Sequence, residues 1–192
     1  MIKEKENGET EIKESKTNIV KTGGKLYIAG EYSVLTPNQS AIIKNIDIFM
    51  TAEIKFSEKY SIYSDMYDYS VTLEEDDGNY SLITETVKIV NEYLQLKGVC
   101  IKPFDMKITG KMEKNGKKCG IGSSGSVTVL TVKAMAKLYS YDISSEEVFK
   151  LSAYVLLKRG DNGSMGDIAC ISYGKACNFG RISKDGIVDM ID

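Results

Sequence analysis

Apolar and polar positions alternate over short runs in the first third of the chain, as they do in β-strands. Residues 19–35, "IVKTGGKLYIAGEYSVL", mix β-branched and aromatic residues with glycines, which predicts a strand, a tight turn and a second strand. Residues 46–57 alternate as a half-buried strand, and "KYSIYS" and "DYSVTL" predict two short antiparallel partners in a tyrosine-rich hairpin. We therefore expect a β-meander in this part of the chain.

In the middle of the chain, apolar residues recur at the spacing of α-helices. The first predicted helix ends before Gly98 and is marked by five apolar residues, namely Leu82, Ile83, Val87, Val90 and Leu94. Residues 103–109 alternate as a strand, and residues 124–139 are apolar on nearly every side, which predicts a buried helix. A third helix is predicted between Ser144, which stands at capping-box spacing from Glu147, and Gly160. The glycine-rich stretch "RGDNGSMGD" and a short apolar segment follow it.

The order of these elements predicts one α+β domain. Residues 1–18 are charged and read as a flexible arm, so the domain is expected to span residues 19–192. The sequence shows neither an internal repeat nor a low-complexity linker that would divide it.

Composition excludes several function classes. A net charge of -2 gives no basic field for nucleic acid, and the absence of histidine removes Ser-His-Asp and Cys-His catalysis. The four cysteines form no C-x-x-C pair and are read as reduced thiols. With no apolar signal segment and no membrane-length apolar run, we expect a soluble, cytoplasmic protein without a membrane partner.

The stretch "KKCGIGSSGSVTVL", residues 117–130, carries the candidate chemistry. Its glycines match the dinucleotide-binding and the protein-kinase glycine patterns at once. A dinucleotide-binding fold requires a buried strand just before the glycines, and none precedes them here. A protein kinase requires H-R-D and D-F-G motifs, which the chain lacks. A Walker A loop would end in G-K-[ST], which is also absent. A glycine loop entering a buried helix still directs free N–H groups at one point, where Ser123, Ser124 and Ser126 add hydroxyls. This predicts a polyphosphate site; the alternative is that the glycines only permit tight packing.

Three segments in this order resemble the GHMP kinases, the superfamily of galactokinase, homoserine kinase, mevalonate kinase and phosphomevalonate kinase. "GIGSSGSVTVL" resembles the central phosphate-binding motif, "KTGGKLYIAGEYSVL" the first motif of the bacterial phosphomevalonate branch, and "KRGDNGSMGDIA" its later glycine-aspartate loop. The similarity spans roughly residues 19–180. It implies the two-layer α+β fold of the GHMP N-terminal domain, with an antiparallel or mixed sheet packed on helices. Gly125 departs from the family, which usually has alanine there. Family members are also considerably longer, so a C-terminal GHMP domain is expected to be missing and the chain alone to have little or no turnover.

The resemblance implies a role for each site residue. The nucleotide-binding loop would comprise Gly120, Ile121, Gly122, Ser123, Ser124, Gly125 and Ser126, with Ser124 also holding Mg²⁺. Lys25 and Asp167 would be catalytic, Lys25 at the transferred or acceptor phosphate and Asp167 at the acceptor oxygen. Ser164, Lys117 and Lys118 would bind the substrate. The plain alternatives are a helix cap for Ser124 or Asp167 and solvated surface positions for the lysines, whereas Glu31 in the first motif is read as structural.

The function implied by the resemblance is ATP- and Mg²⁺-dependent phosphorylation of 5-phosphomevalonate to 5-diphosphomevalonate in the mevalonate route to isoprenoids. Two alternatives remain open at this stage. One is another GHMP small-molecule kinase, mevalonate kinase first, and the other is a non-catalytic nucleotide-binding fragment that serves as a partner surface.

Overall fold

The structure, a computed structural model, describes residues 16–36, 38–110, 113–114, 117–118, 120–174 and 177–180. Residues 1–15 of the predicted arm lie outside this part, and strand β1 already begins at Asn18, the last residue assigned to the arm. None of the helices in the described ranges has the length and apolar character needed to cross a lipid bilayer.

The described part of the chain contains strands, helices and one short 3-10 helix, Ser33–Leu35. The strands are β1 (Asn18–Ala29), β2 (Ser40–Phe56), β3 (Ser61–Ser64), β4 (Tyr69–Val71), β5 (Phe104–Thr109), β6 (Glu113–Lys114), β7 (Lys117–Lys118) and β8 (Cys177–Gly180). The helices are α1 (Ser81–Leu96), α2 (Ser123–Leu138), α3 (Ser145–Lys158) and α4 (Gly166–Tyr173). The short apolar segment after the second glycine-rich stretch is α4.

The main sheet is mixed, with strand order β1-β2-β5-β3-β4 and β8 paired to β2. The hairpin β3–β4 is antiparallel as predicted, but β5 pairs parallel with β3 and lies between β2 and β3. The expected meander is therefore wrong at the step from β2 to β3, while the antiparallel pairs β1–β2 and β3–β4 are confirmed. Two parallel neighbouring strands need a long crossover connection. The connection from β3 to β5 contains β4 and helix α1.

The predicted turn at Gly23 and Gly24 is also wrong, because β1 runs continuously through both glycines. The register with β2 shifts between them, as in a β-bulge. A Cβ atom at Gly23 would lie 2.6 Å from the carbonyl oxygen of Ile46, and one at Gly24 would lie 3.0 Å from that of Ile121. The two glycines permit close approach of β2 and of the loop before α2, and they do not reverse the chain.

The predicted helices are confirmed. Gly98 follows the end of α1 with a φ of +80°, and Ser144 caps α3 in a complete capping box with Glu147. Helix α2 lies at the centre of the helical layer, with Val129, Leu130 and Met135 fully buried. It packs against β1, β2 and the other three helices, which gives the expected two-layer α+β fold.

Helix α4 is fastened to α2 by a lysine. The Lys133 ammonium on α2 donates to the carbonyl oxygen of Ser172 (3.0 Å) at the end of α4, and partial burial lowers the pKa of Lys133. Carbonyls at a helix C-terminus attract a cation, so this contact holds the two helices together. The first turns of these helices carry the candidate site residues.

Candidate active site

The glycine loop leads directly into α2 and leaves the start of this helix open. Gly120 and Gly122 have φ angles of +66° and +82°, and Gly122 occupies the N-cap position without a side-chain cap bond. Helix α2 begins at Ser123, so the alternative of Ser124 as the N-cap is wrong. The first N–H groups of a helix have no partner within it, and exposed Ser124 lies in this first turn of α2. A helix start of this kind can accept an anion, which is the role predicted for the loop.

Lys25 is docked onto this loop by backbone and side chain. Its N–H donates to the carbonyl of Ile121 (2.8 Å), and its ammonium donates to the carbonyl of Gly120 (3.2 Å). Gly122 leaves room for the stem, since a Cβ there would lie 2.9 Å from Lys25 Cγ. A charge carried by the rigid strand β1 is thus held at the mouth of the predicted phosphate loop.

Asp167 approaches the same place from α4. Burial raises the pKa of its carboxyl, while the N–H of Ile168 (2.9 Å) and the charge of Lys25 oppose that increase. Although the structure describes both side chains, no ion pair joins Lys25 and Asp167. At Gly125 a Cβ atom would lie 3.3 Å from Asp167 Oδ2, so the glycine that departs from the family pattern faces the candidate catalytic carboxylate.

Lys25, Asp167 and Ser164 all line one cleft of about 280 Å³. Ser164 is buried, and its hydroxyl accepts a hydrogen bond from the N–H of Gly166 (3.3 Å). The intervening Met165 has a φ of +61°, a left-handed conformation that is uncommon for a residue with a side chain and recurs at functional sites. Glu31 lines the cleft as well and is exposed, and its predicted structural role stays a prediction.

Tyr27 is a further cleft residue that sequence reasoning missed. Its ring lies 4.7 Å from the Lys25 ammonium, and its hydroxyl lies 3.4 Å from Ser164 Oγ. Residues two apart on a strand share a face, so the assignment of Lys25 to the site could have indicated that Tyr27 faces the same cleft.

Ser126 does not contribute its hydroxyl to the loop, which corrects the expectation from the sequence. Its side chain is fully buried and donates to the carbonyl of Gly23 (3.1 Å), with Thr22 Oγ1 at 3.0 Å, and its N–H donates to the carbonyl of Gly122 (2.8 Å). Because all these groups are occupied, Ser126 fastens α2 to the β1 bulge and has no N–H or hydroxyl left for a phosphate.

Ser123 and Ser124 face the other side of the loop, toward a small cavity of about 70 Å³ that is also lined by Asp65. No sequence motif indicated Asp65, whose carboxylate accepts a hydrogen bond from the N–H of Gly110 (2.9 Å). The described residues contain no group of three or more acidic, cysteine or histidine side chains that could hold a metal ion. Ser124 remains the candidate that the loop offers to Mg²⁺.

The backbone of Lys117 and Lys118 forms β7, which pairs with β6 as a small hairpin ahead of the loop. Their predicted role in binding the acceptor phosphate stays a prediction.

Comparison with known proteins agrees with this architecture. The family model of the GHMP kinases N terminal domain matches residues 81–175. The structure superposes with a TM-score of 0.86 on Streptococcus pneumoniae phosphomevalonate kinase in complex with phosphomevalonate and AMPPNP, at 49% identity over 91% of this chain and 53% of that one.

Two curated relatives are more distant. The phosphomevalonate kinase of Streptomyces sp. (strain CL190) is 26% identical, with 79% of this chain and 46% of the relative covered. The mevalonate kinase of Methanocaldococcus jannaschii is also 26% identical, with 81% and 51% covered. The chain thus spans about half the length of the relatives it matches. The family match, the fold and the similarity to these kinases together show that this chain belongs to the GHMP kinases, whose N-terminal domain it contains.

Proposed function

We propose that this chain provides the ATP-binding half of a kinase that transfers the γ-phosphoryl group of ATP to 5-phosphomevalonate and forms 5-diphosphomevalonate. The observation that carries the proposal is that Lys25 and Asp167 line one cleft and both adjoin the start of α2, Lys25 through the Gly120 carbonyl and Asp167 beside Gly125. Phosphoryl transfer needs positioning and charge neutralisation, which these groups supply.

ATP would bind with its phosphates at the start of α2. The N–H groups of Ser123, Ser124 and Gly125 and the helix dipole would stabilise them, as at other phosphate-binding helix starts. Magnesium usually keeps several waters and takes its other ligands from phosphates and one or two protein groups. A single hydroxyl, that of exposed Ser124, therefore fits the small protein share of such a site. Magnesium would neutralise charge that develops between the phosphates.

The acceptor would occupy the cleft between β1 and α4. Lys25 would stabilise charge on the transferred group, Ser164 would contact the acceptor, and Asp167 would lie near its attacking oxygen. A phosphomonoester has a second pKa of about 6, so its attacking oxygen is already anionic at neutral pH. Asp167 would then orient Lys25, Mg²⁺ or the acceptor, and it would not need to remove a proton.

Two similarities favour phosphomevalonate over mevalonate as the acceptor. The S. pneumoniae enzyme, which is 49% identical, was solved with phosphomevalonate, whereas the mevalonate kinase relative is 26% identical. Two of the three motifs, the first and the later glycine-aspartate loop, resemble the phosphomevalonate branch as well. A mevalonate kinase remains the second candidate, because one relative of each kind matches at 26% identity.

The Lys25→Met variant tests the proposed site in the full natural protein. Removing a charge that stabilises the transferred group costs on the order of 3 kcal/mol, so kcat/KM for phosphomevalonate should fall about 10². Lys44→Met is the matched control, since Lys44 is an exposed lysine of β2 opposite Leu26 and outside the cleft. Equal activity of the two variants would remove Lys25 from the site.

A further inference from the structure

Tyr27 stands between two of the proposed site residues and contacts both. It is two positions after Lys25 on β1 and on the same face of the strand, and it is partly buried in the cleft. Its ring lies 4.7 Å from the Lys25 ammonium, and its hydroxyl lies 3.4 Å from that of Ser164. One side chain therefore connects the strand that carries the lysine with the turn that precedes α4.

The ring restricts where the Lys25 ammonium can go. A lysine stem has several rotatable bonds, and an ammonium over an aromatic face within about 6 Å of its centroid is held electrostatically. The Gly120 carbonyl holds the same ammonium from the loop side (3.2 Å). Since no carboxylate pairs with Lys25 among the described residues, its charge stays available to an anionic ligand while its position is fixed.

The hydroxyl acts on the other wall of the cleft. Ser164 is buried, and its hydroxyl already accepts a hydrogen bond from the N–H of Gly166 (3.3 Å). This bond sets the orientation of the Ser164 side chain within the turn that leads to Asp167. The contact from Tyr27 ties this turn to β1. Loss of the hydroxyl would loosen Ser164 without moving Lys25, whereas loss of the ring would release both.

We propose that Tyr27 is a positioning residue of the phosphoryl-transfer site, whose ring orients Lys25 toward the transferred group and whose hydroxyl orients Ser164 toward the acceptor. This inference rests on the proposed function, because it concerns the same cleft. It assigns the two roles to separate parts of one side chain, which makes them separable by substitution.

The kinetic test uses Tyr27→Leu and Tyr27→Phe in the full natural protein with ATP and phosphomevalonate. Tyr27→Leu should lower kcat about tenfold, the size of a desolvated cation–π contact, with little change in KM for ATP. Tyr27→Phe should keep kcat and raise KM for the acceptor about threefold, as expected for one weak neutral hydrogen bond. Equal effects of the two substitutions on kcat would overturn the division of roles.

A double-mutant cycle shows whether the ring acts through Lys25. In a Lys25→Met background, Tyr27→Leu should cause little further loss, because the group that the ring positions is already absent. A full tenfold loss in that background would mean that Tyr27 acts independently of Lys25, and the proposal would be wrong.

A measurement without catalysis separates this inference from the proposed function. The ε-methylene signal of Lys25, assigned with Lys25→Met in ¹³C-lysine protein, should show a ring-current shift that Tyr27→Leu removes and Tyr27→Phe keeps. Tyr63→Leu is the control, since the Tyr63 ring lies near Lys107 (5.9 Å) and its loss should move only that lysine. An unchanged Lys25 signal in Tyr27→Leu overturns the positioning contact whatever the activity. The expected shift in a protein that phosphorylates no acceptor supports the contact and rejects the proposed reaction.

Discussion

Gly122 combines two constraints in one residue. Its φ of +82° is a left-handed conformation, and it leaves the space that the Lys25 stem occupies. Gly98, after α1, has a nearly equal φ of +80°, but nothing lies within 4 Å of a Cβ placed there. The two glycines thus share the backbone requirement and differ in the contact with the site.

This pair gives a matched prediction. Gly122→Ala and Gly98→Ala should each lower the free energy of unfolding by about 1–2 kcal/mol, the cost of a left-handed alanine. Only Gly122→Ala should also lower kcat/KM, by about tenfold, because its methyl group displaces Lys25 from the loop. Urea unfolding and steady-state kinetics on both variants provide the check. Similar kinetics for the two would show that the close contact with Lys25 has no functional role.

Asp167 permits a prediction that depends on the acceptor. If the acceptor is a phosphomonoester, with a second pKa of about 6, no proton has to be removed above neutral pH. Asp167→Asn should then lower kcat by a factor that stays roughly constant between about pH 7 and about pH 9. The measurement is kcat of both proteins across that range. A deficit that shrinks as the pH rises would indicate general-base catalysis and a hydroxyl acceptor.

Individual site residues were predictable to the extent that a motif contained them. Lys25 comes from one segment and Ser164 and Asp167 from another, and the structure brings all three to one cleft. The hydroxyl of Ser126 was misassigned, because a motif gives spacing and not direction, and this side chain points to the β1 bulge. Tyr27 belongs to no chemical motif, and its role follows from contacts across the cleft.

At the scale of elements, the start of α3 is fixed by a network around Glu147. This carboxylate accepts hydrogen bonds from the N–H of Ser144 (2.8 Å) and from the hydroxyl groups of Tyr93 (2.5 Å) and Tyr141 (3.3 Å). The bonds from Tyr93 and Ser144 lower the pKa of Glu147 from 4.5 to about 2. Since Tyr93 belongs to α1, the same carboxylate caps one helix and links it to another.

Glu147→Gln should therefore destabilise the protein in a pH-dependent manner. At neutral pH the loss should be on the order of 1 kcal/mol, because the charge-assisted hydrogen bonds and part of the cap are removed. A carboxylate whose pKa is lower in the folded state stabilises the fold at pH values above its unfolded-state pKa, and this stabilisation is lost as it becomes protonated. The difference in unfolding free energy between wild type and Glu147→Gln should therefore disappear as the pH falls from 4.5 toward about 2.

Urea unfolding at a series of pH values measures that difference. Glu146→Gln is the control, because Glu146 is exposed and pairs with Lys150 four residues on (2.9 Å), a surface contact of small energetic weight. A loss in Glu147→Gln that matched that of Glu146→Gln at every pH would contradict the network.

Elements with strong local signals were predictable, whereas their arrangement was not. The apolar spacing of α1 and the capping box of α3 depend on nearby residues only, and both helices appear where expected. The Gly23-Gly24 pair permits either a turn or a close approach, and only contacts with β2 and the α2 loop decide between them. The insertion of β5 between β2 and β3 is a long-range pairing that sequence order does not contain.

At the scale of the whole molecule, the chain carries the GHMP kinase N-terminal fold and covers about half the length of its relatives, namely 46% and 53% of two phosphomevalonate kinases. The GHMP fold serves several substrates, so the fold alone does not select an acceptor. The choice of phosphomevalonate over mevalonate rests on sequence similarity, and it is therefore the part of the proposal that most needs an experiment.

The most direct test is a competition between the two acceptors. The full natural protein is incubated with Mg²⁺, ATP and equal amounts of phosphomevalonate and mevalonate, and the products are followed by ³¹P NMR. We predict a pair of coupled diphosphate resonances from 5-diphosphomevalonate, formed together with ADP at the expense of the phosphomevalonate signal, while the mevalonate remains unphosphorylated. Growth of the 5-phosphomevalonate signal, which is the product of mevalonate phosphorylation, without any 5-diphosphomevalonate would contradict this prediction.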